Sequence, residues 1–129
     1  MTQSSITTCN AALDARNALL NSGKVEIRTG AVGDIDQSDS GTILETIPLP
    51  ATAFATASAR AASANTITAI TATTAAAVGA KHYVAYNSTN GTERNGSAGT
   101  SGTDMILSAD SWEIGDSITI TSWATAEAK

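Results

Sequence analysis

Gly23-Lys24-Val25-Glu26-Ile27-Arg28-Thr29-Gly30 is where the periodicity of this chain changes. Val25 and Ile27 alternate with Lys24, Glu26 and Arg28, the period-two pattern of a half-buried strand, and glycine closes each end. Upstream the spacing is helical. Ile6, Cys9, Leu13 and Leu20 form a narrow apolar stripe over residues 4–22, supported by the strong helix formers Ala12, Ala15 and Ala18. Thr2 and Ser4 are candidate N-caps and Gly23 is the expected stop, with Asn10, Asp14, Arg16 and Asn17 on the exposed side. The helix therefore takes residues 1–23, and residues 24–129 read as the β part of one structural unit.

Downstream, polar residues 30–41 read as a loop and Thr42–Leu49 as a second strand, punctuated by Pro48 and Pro50. Residues 51–64 are almost wholly Ala, Ser and Thr around Phe54; propensity allows a helix there, and the surroundings equally allow extended chain or loop. Asn65–Thr71 alternates as a strand. Val78–Asn87 carries His82, Tyr83, Val84 and Tyr86, and Asn90-Gly91 marks a hairpin turn after it. Asn95–Gly102 reads as a glycine-rich bend, Met105–Leu107 as a short strand. In the last strand, Asp116–Trp123, strict alternation places Ile118, Ile120 and Ser122 opposite Thr119, Thr121 and Trp123. Seven or eight short strands after one N-terminal helix predict a mainly β fold, a β-sandwich, jelly roll or barrel.

Composition narrows the class further. Ala, Thr, Ser and Gly supply 69 of 129 residues, whereas Leu, Ile, Val and Phe supply only 22. A net charge of −5 is too small to keep such a chain unfolded, so it reads as a folded domain with few large core residues. A core this thin points to burial completed by other subunits, a homo-oligomer or a larger surface. Acidic balance with scattered Lys and Arg disfavours nucleic acid. No apolar run reaches the roughly 18 residues of a membrane helix, and no segment reads as a secretory signal. One cysteine excludes an internal disulfide, and one histidine leaves little for zinc; no cofactor is expected.

The motifs that suggest chemistry are weak. Asp34, Asp36, Ser38 and Glu45 echo a calcium loop, but Asp39 stands where that loop requires glycine, so a solvated loop is expected. Asp110, Glu113 and Asp116 around Trp112 resemble a carboxylate pair beside an aromatic, and turn and edge roles explain them better. Gly96, Gly99 and Gly102 fit no phosphate-binding pattern and read as positive-φ bends. His82 precedes Gly99-Thr-Ser101-Gly102, opposite to the hydrolase order, and reads as a packed or surface residue. The sequons at Asn87, Asn90 and Asn95 are turn residues. Cys9 is apolar filler. Ile6, Leu13, Tyr83, Tyr86, Trp112 and Trp123 are the interface candidates; for the four aromatics a core role is the other reading, with a carbohydrate platform an alternative if they share an exposed face.

The order of segments carries a resemblance. The helix Asn10–Gly23 leads into Val25–Gly30, then Gly41–Leu49, Ala53-Phe54, Asn65–Thr68, Ala80–Val84 and Asn95–Leu107 with its Gly-x-x-Gly-x-x-Gly-x-Asp element. This progression resembles a family of small tailed-bacteriophage virion proteins, and looks like the jelly-roll cement, or decoration, proteins of capsids. The resemblance implies a non-enzymatic protein made in the bacterial cytoplasm. It would bind the major capsid protein on the outer head surface, as a dimer or trimer, and bridge capsomers. A tail, neck or fibre subunit with a host-glycan surface is the alternative it implies. Arg28 and Lys81-His82-Tyr83 depart from the family pattern, and Asp104 is expected to brace the glycine element.

Overall fold

The computed structural model describes residues 3–37 and 39–126, so Thr2 and Ser38 of the expectations above lie outside the described residues. Helix α1 spans Ile6–Ala18 and is followed by nine strands: β1 Lys24–Thr29, β2 Ile43–Pro48, β3 Ala61–Ser63, β4 Ile70–Thr71, β5 Lys81–Tyr86, β6 Thr92–Gly99, β7 Met105–Leu107, β8 Ser117–Ile118 and β9 Ile120–Ala126. Seven form a sheet in the order β2-β1-β5-β6-β7-β9-β3, and β4 pairs with β8. All pairs are antiparallel except β6–β7, which meets only at Ala98↔Met105 and Gly99↔Ile106. That short parallel junction divides the sheet into two leaves. The Tyr83 ring on β5 and the Trp123 ring on β9 lie 5.2 Å apart between centroids, although two strands separate them in the sheet. Strands spaced about 4.8 Å apart bring such rings together only if the leaves fold over each other. The fold is the expected mainly β, sandwich-like class with one N-terminal helix.

The β1 pattern holds on its inner side, where Val25 and Ile27 are buried with their β5 partners Ala85 and Tyr83. Glu26 is buried as well, because loop 30–41 crosses the outer face of β5 and covers the alternate row. All six residues of β5 are therefore buried. β6 spans Thr92–Gly99 and so takes in much of the predicted bend. Gly96 pairs with Tyr83 inside the sheet, and a Cβ there would lie 2.7 Å from Tyr83 Cε1. Gly96 thus serves close packing against a ring rather than a positive φ. Asp104 does brace this element: its Oδ2 accepts from Ser97 N (3.0 Å) and Ser97 Oγ (3.2 Å).

Three further expectations change. Residues 65–69 are irregular, leaving only Ile70–Thr71 as β4. The last strand breaks at Thr119. Leu107 then pairs with Ile120 while Ile106 pairs with Ser122, so Thr121 is a bulge. The bulge reverses the alternation and lets Ile120 and Trp123 both face inward. In α1 the N-cap is Ser5, not Thr2 or Ser4, with its Oγ accepting from Thr8 N at 3.1 Å. Ile6 is 49% exposed, whereas Cys9, Leu13 and Leu20 are buried and Asn17 turns inward with them.

The unassigned stretch 51–64 takes its shape from α1. Asn21 Oδ1 accepts from Ala53 N (2.9 Å), Asp14 Oδ1 from Ala57 N (2.7 Å) and Asn10 Oδ1 from Arg60 N (2.9 Å). Residues 53–55 in turn pair along 63–65, beyond β3. The helix thus covers the sheet edge that would otherwise stand open. Ala59 (φ 50°) and Arg60 (φ 64°) make a two-residue hairpin turn usually built from Asn-Gly. At the opposite edge Pro48 and a bulge near Ile43 interrupt β2, two further devices against strand pairing. One more buried polar group organises the loops. The Lys81 ammonium donates to Ala77 O (2.9 Å), Gly79 O (3.2 Å) and Asp110 O, pairs with Asp110 Oδ1 (3.2 Å), and lies 5.6 Å from the Trp112 ring centroid.

Asp14→Ala leaves the Ala57 amide without its charged acceptor and is expected to lower stability by about 1–3 kcal/mol. Ala59→Gly removes a left-handed strain worth about 1–2 kcal/mol and is expected to raise stability, less the greater freedom glycine gives the unfolded chain. Urea midpoints at equal m-value read both, with opposite signs.

Candidate functional site

Five of the six expected interface residues lie inside the chain instead. Leu13, Tyr83, Tyr86, Trp112 and Trp123 are buried, and only Ile6 stands at the surface. The physical reason is scarcity: with so few large side chains, the fold uses them as its own filling. Phe54, Tyr83 and Trp123 form one group, the first and last 4.8 Å apart edge to face, with Trp123 Nε1 donating to Tyr83 Oη at 3.2 Å. The Arg94 guanidinium covers Phe54 and Trp123 at 5.5 and 5.8 Å and donates to Asn17 Oδ1 at 3.0 Å. Burial lowers the Arg94 pKa, and the aromatic faces supply part of the attraction that water would give. The aromatics share no exposed face, so they form no carbohydrate platform.

Beneath loop 30–41 lies a polar cluster that the sequence did not reveal. Tyr86 Oη donates to Glu26 Oε1 at 2.8 Å and meets Asp39 Oδ2, which fastens the loop to β5. Arg28 Nε and Nη2 donate to the same Glu26 oxygen at 3.1 and 2.7 Å, and Lys24 lies 3.7 Å from Glu26 Oε2. His82 Nδ1 sits 3.1 Å from Gly30 O, and Asn95 Nδ2 donates to Gly33 O at 2.9 Å. Burial, then the bonds to Asp39 and Glu26, push the Tyr86 phenol well above its usual value. Burial also raises Tyr83, against the opposing effects of Trp123 and Arg94.

The other motifs resolve into structural roles. Glu45 accepts from Thr73 N (2.7 Å) and Thr74 N (2.9 Å), holding that turn, so it does not join the Asp34 loop. Among the described residues, no three His, Cys, Asp or Glu side chains gather to hold a metal ion. Asp110 faces Lys81, while Asp116 Oδ2 accepts from Glu113 N at 2.9 Å within a turn. Asn87 closes the β5–β6 turn through its own side chain, and Cys9 is buried on α1.

What remains at the surface is a different kind of site. Between residues 64–67 and β9 opens a groove of about 370 Å³, whose walls include Asn65, Ile67, Thr119, Thr121, Ser122 and Trp123. Thr119 Oγ1 donates to Ile67 O across it at 3.0 Å. None of the lining residues is ionisable. The groove belongs to a wider pattern, because residues 61–80 and 117–126 contain no Asp, Glu, Lys or Arg. Thr66, Thr68, Thr71, Thr121 and Ser122 are exposed there, and hydroxyls can both donate and accept. Elsewhere at the surface, Val78 and Ile114 are the most exposed large apolar residues among the described residues, at 75% and 71%. This arrangement suits contact with another macromolecular surface through hydrogen bonds and apolar area.

Comparison with family models, with curated proteins and with solved structures finds no match to this chain.

Both tyrosines of the chain have raised pKa values, so the folded state keeps its phenols neutral while the unfolded chain ionises from about pH 10. Their contribution to stability is complete below that pH and falls as pH rises above it. Ultraviolet titration is expected to show no phenolate before alkaline unfolding, and then both tyrosines together. Tyr86→Phe is expected to flatten the alkaline loss of stability in part.

Proposed function

We propose that this chain is a structural subunit of a tailed-phage particle, a cement protein that docks on the outside of the assembled head and ties neighbouring capsomers together. The order of segments supports the reading, from the N-terminal helix through the glycine element braced by Asp104. The observation that carries it is the distribution of charge. A chain of net charge −5 keeps residues 61–80 and 117–126 free of charge and lines a surface groove with their hydroxyls and methyls. Interface cores are depleted of charged residues in the same way. In this reading the major capsid protein is the partner, with other copies of the chain beside it. Ile6, Val78 and Ile114 add apolar area at the surface. Each contact is modest, and repetition over many copies supplies avidity. The function is mechanical, resisting internal pressure from the packaged genome without binding nucleic acid itself.

The test is the copy number in purified particles, read by quantitative mass spectrometry. Hundreds of copies per particle support a head protein, whereas tens or fewer favour a tail, neck or fibre subunit. Thr121→Lys places a charge beside the groove and is expected to lower occupancy about tenfold, equivalent to about 1.4 kcal/mol. Unchanged occupancy would move the docking surface elsewhere.

A further inference from the structure

The chain contains two Asn-Gly steps, Asn90-Gly91 and Asn95-Gly96, and the fold treats them differently. In such a step the amide nitrogen of glycine meets no side chain of its own on the way to the asparagine carbonyl. Asn95 lies within β6, pairs with Val84 and donates to Gly33 O at 2.9 Å, while Gly96 packs under Tyr83. Ring closure there requires that the β5–β6 pairing open. Asn90 sits instead at the exposed tip of the β5–β6 turn with φ 66°.

At this tip one side chain holds the nucleophile. Asn87 Oδ1 accepts from Gly91 N (2.8 Å), Thr89 N (2.9 Å) and Thr89 Oγ1 (2.8 Å), and Asn87 Nδ2 donates to Glu93 Oε1 at 2.7 Å. The backbone adds Asn87 N to Gly91 O at 2.9 Å and Asn90 N to Asn87 O at 3.1 Å. We propose that Asn90 is a self-modification site, converting to aspartate and isoaspartate without an enzyme, and that Asn87 sets the rate by holding the Gly91 amide. Gly91 N loses its proton to solvent and bonds to Asn90 Cγ; the Cγ–Nδ2 bond breaks and ammonia leaves. Water then opens the resulting succinimide at either carbonyl, giving aspartate or isoaspartate with no change of oxidation state. Each event takes the net charge from −5 to −6. The isoaspartate product adds a methylene to the main chain inside a turn closed by the Asn87–Gly91 bond, so it loosens the β5–β6 connection.

The experiment incubates the full chain at mildly alkaline pH and follows both sites by peptide mapping, with isoelectric focusing for the added charge. In the folded protein Asn90 is expected to react first while Asn95 stays intact; in urea both react at similar rates. Asn87→Ala, checked for native circular dichroism, is expected to speed Asn90 about threefold, the weight of one net hydrogen bond. Asn90→Ala is expected to abolish the acidic shift. Equal reaction at Asn95 in the folded chain overturns the proposal. So does an intact Asn90 over a time that modifies both sites in urea. A folded Asn87→Ala protein with an unchanged rate refutes the role of Asn87.

Discussion

Three side-chain oxygens on one face of α1 hold the outer edge of the β-structure in place. Asn10, Asp14 and Asn21 stand four and seven residues apart, which keeps them on one side of the helix and its C-terminal turn. Each accepts a backbone N–H from residues 53–60. A neighbouring strand would offer such acceptors at every second residue; the helix offers them three or four residues apart. The segment therefore satisfies its amides without becoming a regular strand. It also carries Phe54 onto Trp123 and presents residues 63–65 to pair with 53–55. Removing the helix would expose this edge and unseat the aromatic group together.

Much of the architecture was readable because alternation and helical spacing are local signals. β1 follows from alternation, and β2, β5 and β7 follow from short runs of β-branched, aromatic and other large apolar residues. The helix follows from its spacing, although it begins two residues later and ends four residues earlier than the 4–22 stripe. The failures share a physical cause, since they depend on contacts distant in sequence. Asn10 and Asp14 look like surface residues until the 53–60 segment arrives over them. Gly96 looks like a bend until the Tyr83 ring is placed beside it. The Thr121 bulge is dictated by pairing with β7, and nothing within 116–123 announces it. Ala59-Arg60 makes a turn that its own residues disfavour, held from outside by Asn10. The candidate surface was legible in part, because the absence of charge over 61–80 and 117–126 is visible in the sequence. That these stretches meet at one groove is not.

A core with so few large side chains works by contrast in size. Tyr83, Trp123, Phe54 and Met105 are set among Gly96, Ala85, Ala98 and Ala62, whose small side chains let rings and backbone approach closely. Such packing tolerates little growth, as at Gly96, where an added methyl would meet the Tyr83 ring. Polar groups complete the interior. Arg94 lies over two aromatic rings, and Glu26 with Tyr86 supports the loop above β5. Thr and Ala therefore fill positions by steric need, and their abundance is compatible with a single ordered state.

Lys81 gives the loops around it something that other small β domains take from solution. Its ammonium sits among three carbonyl oxygens and a carboxylate, a donor set that a hard metal ion would also accept. Here the cation is covalently part of the chain. It cannot be lost by dilution or withdrawn by a chelator, and it arrives at its site whenever β5 forms. The 77–79 and 110 loops are thereby ordered at no cost in ion supply, and they keep their shape in media poor in divalent salt.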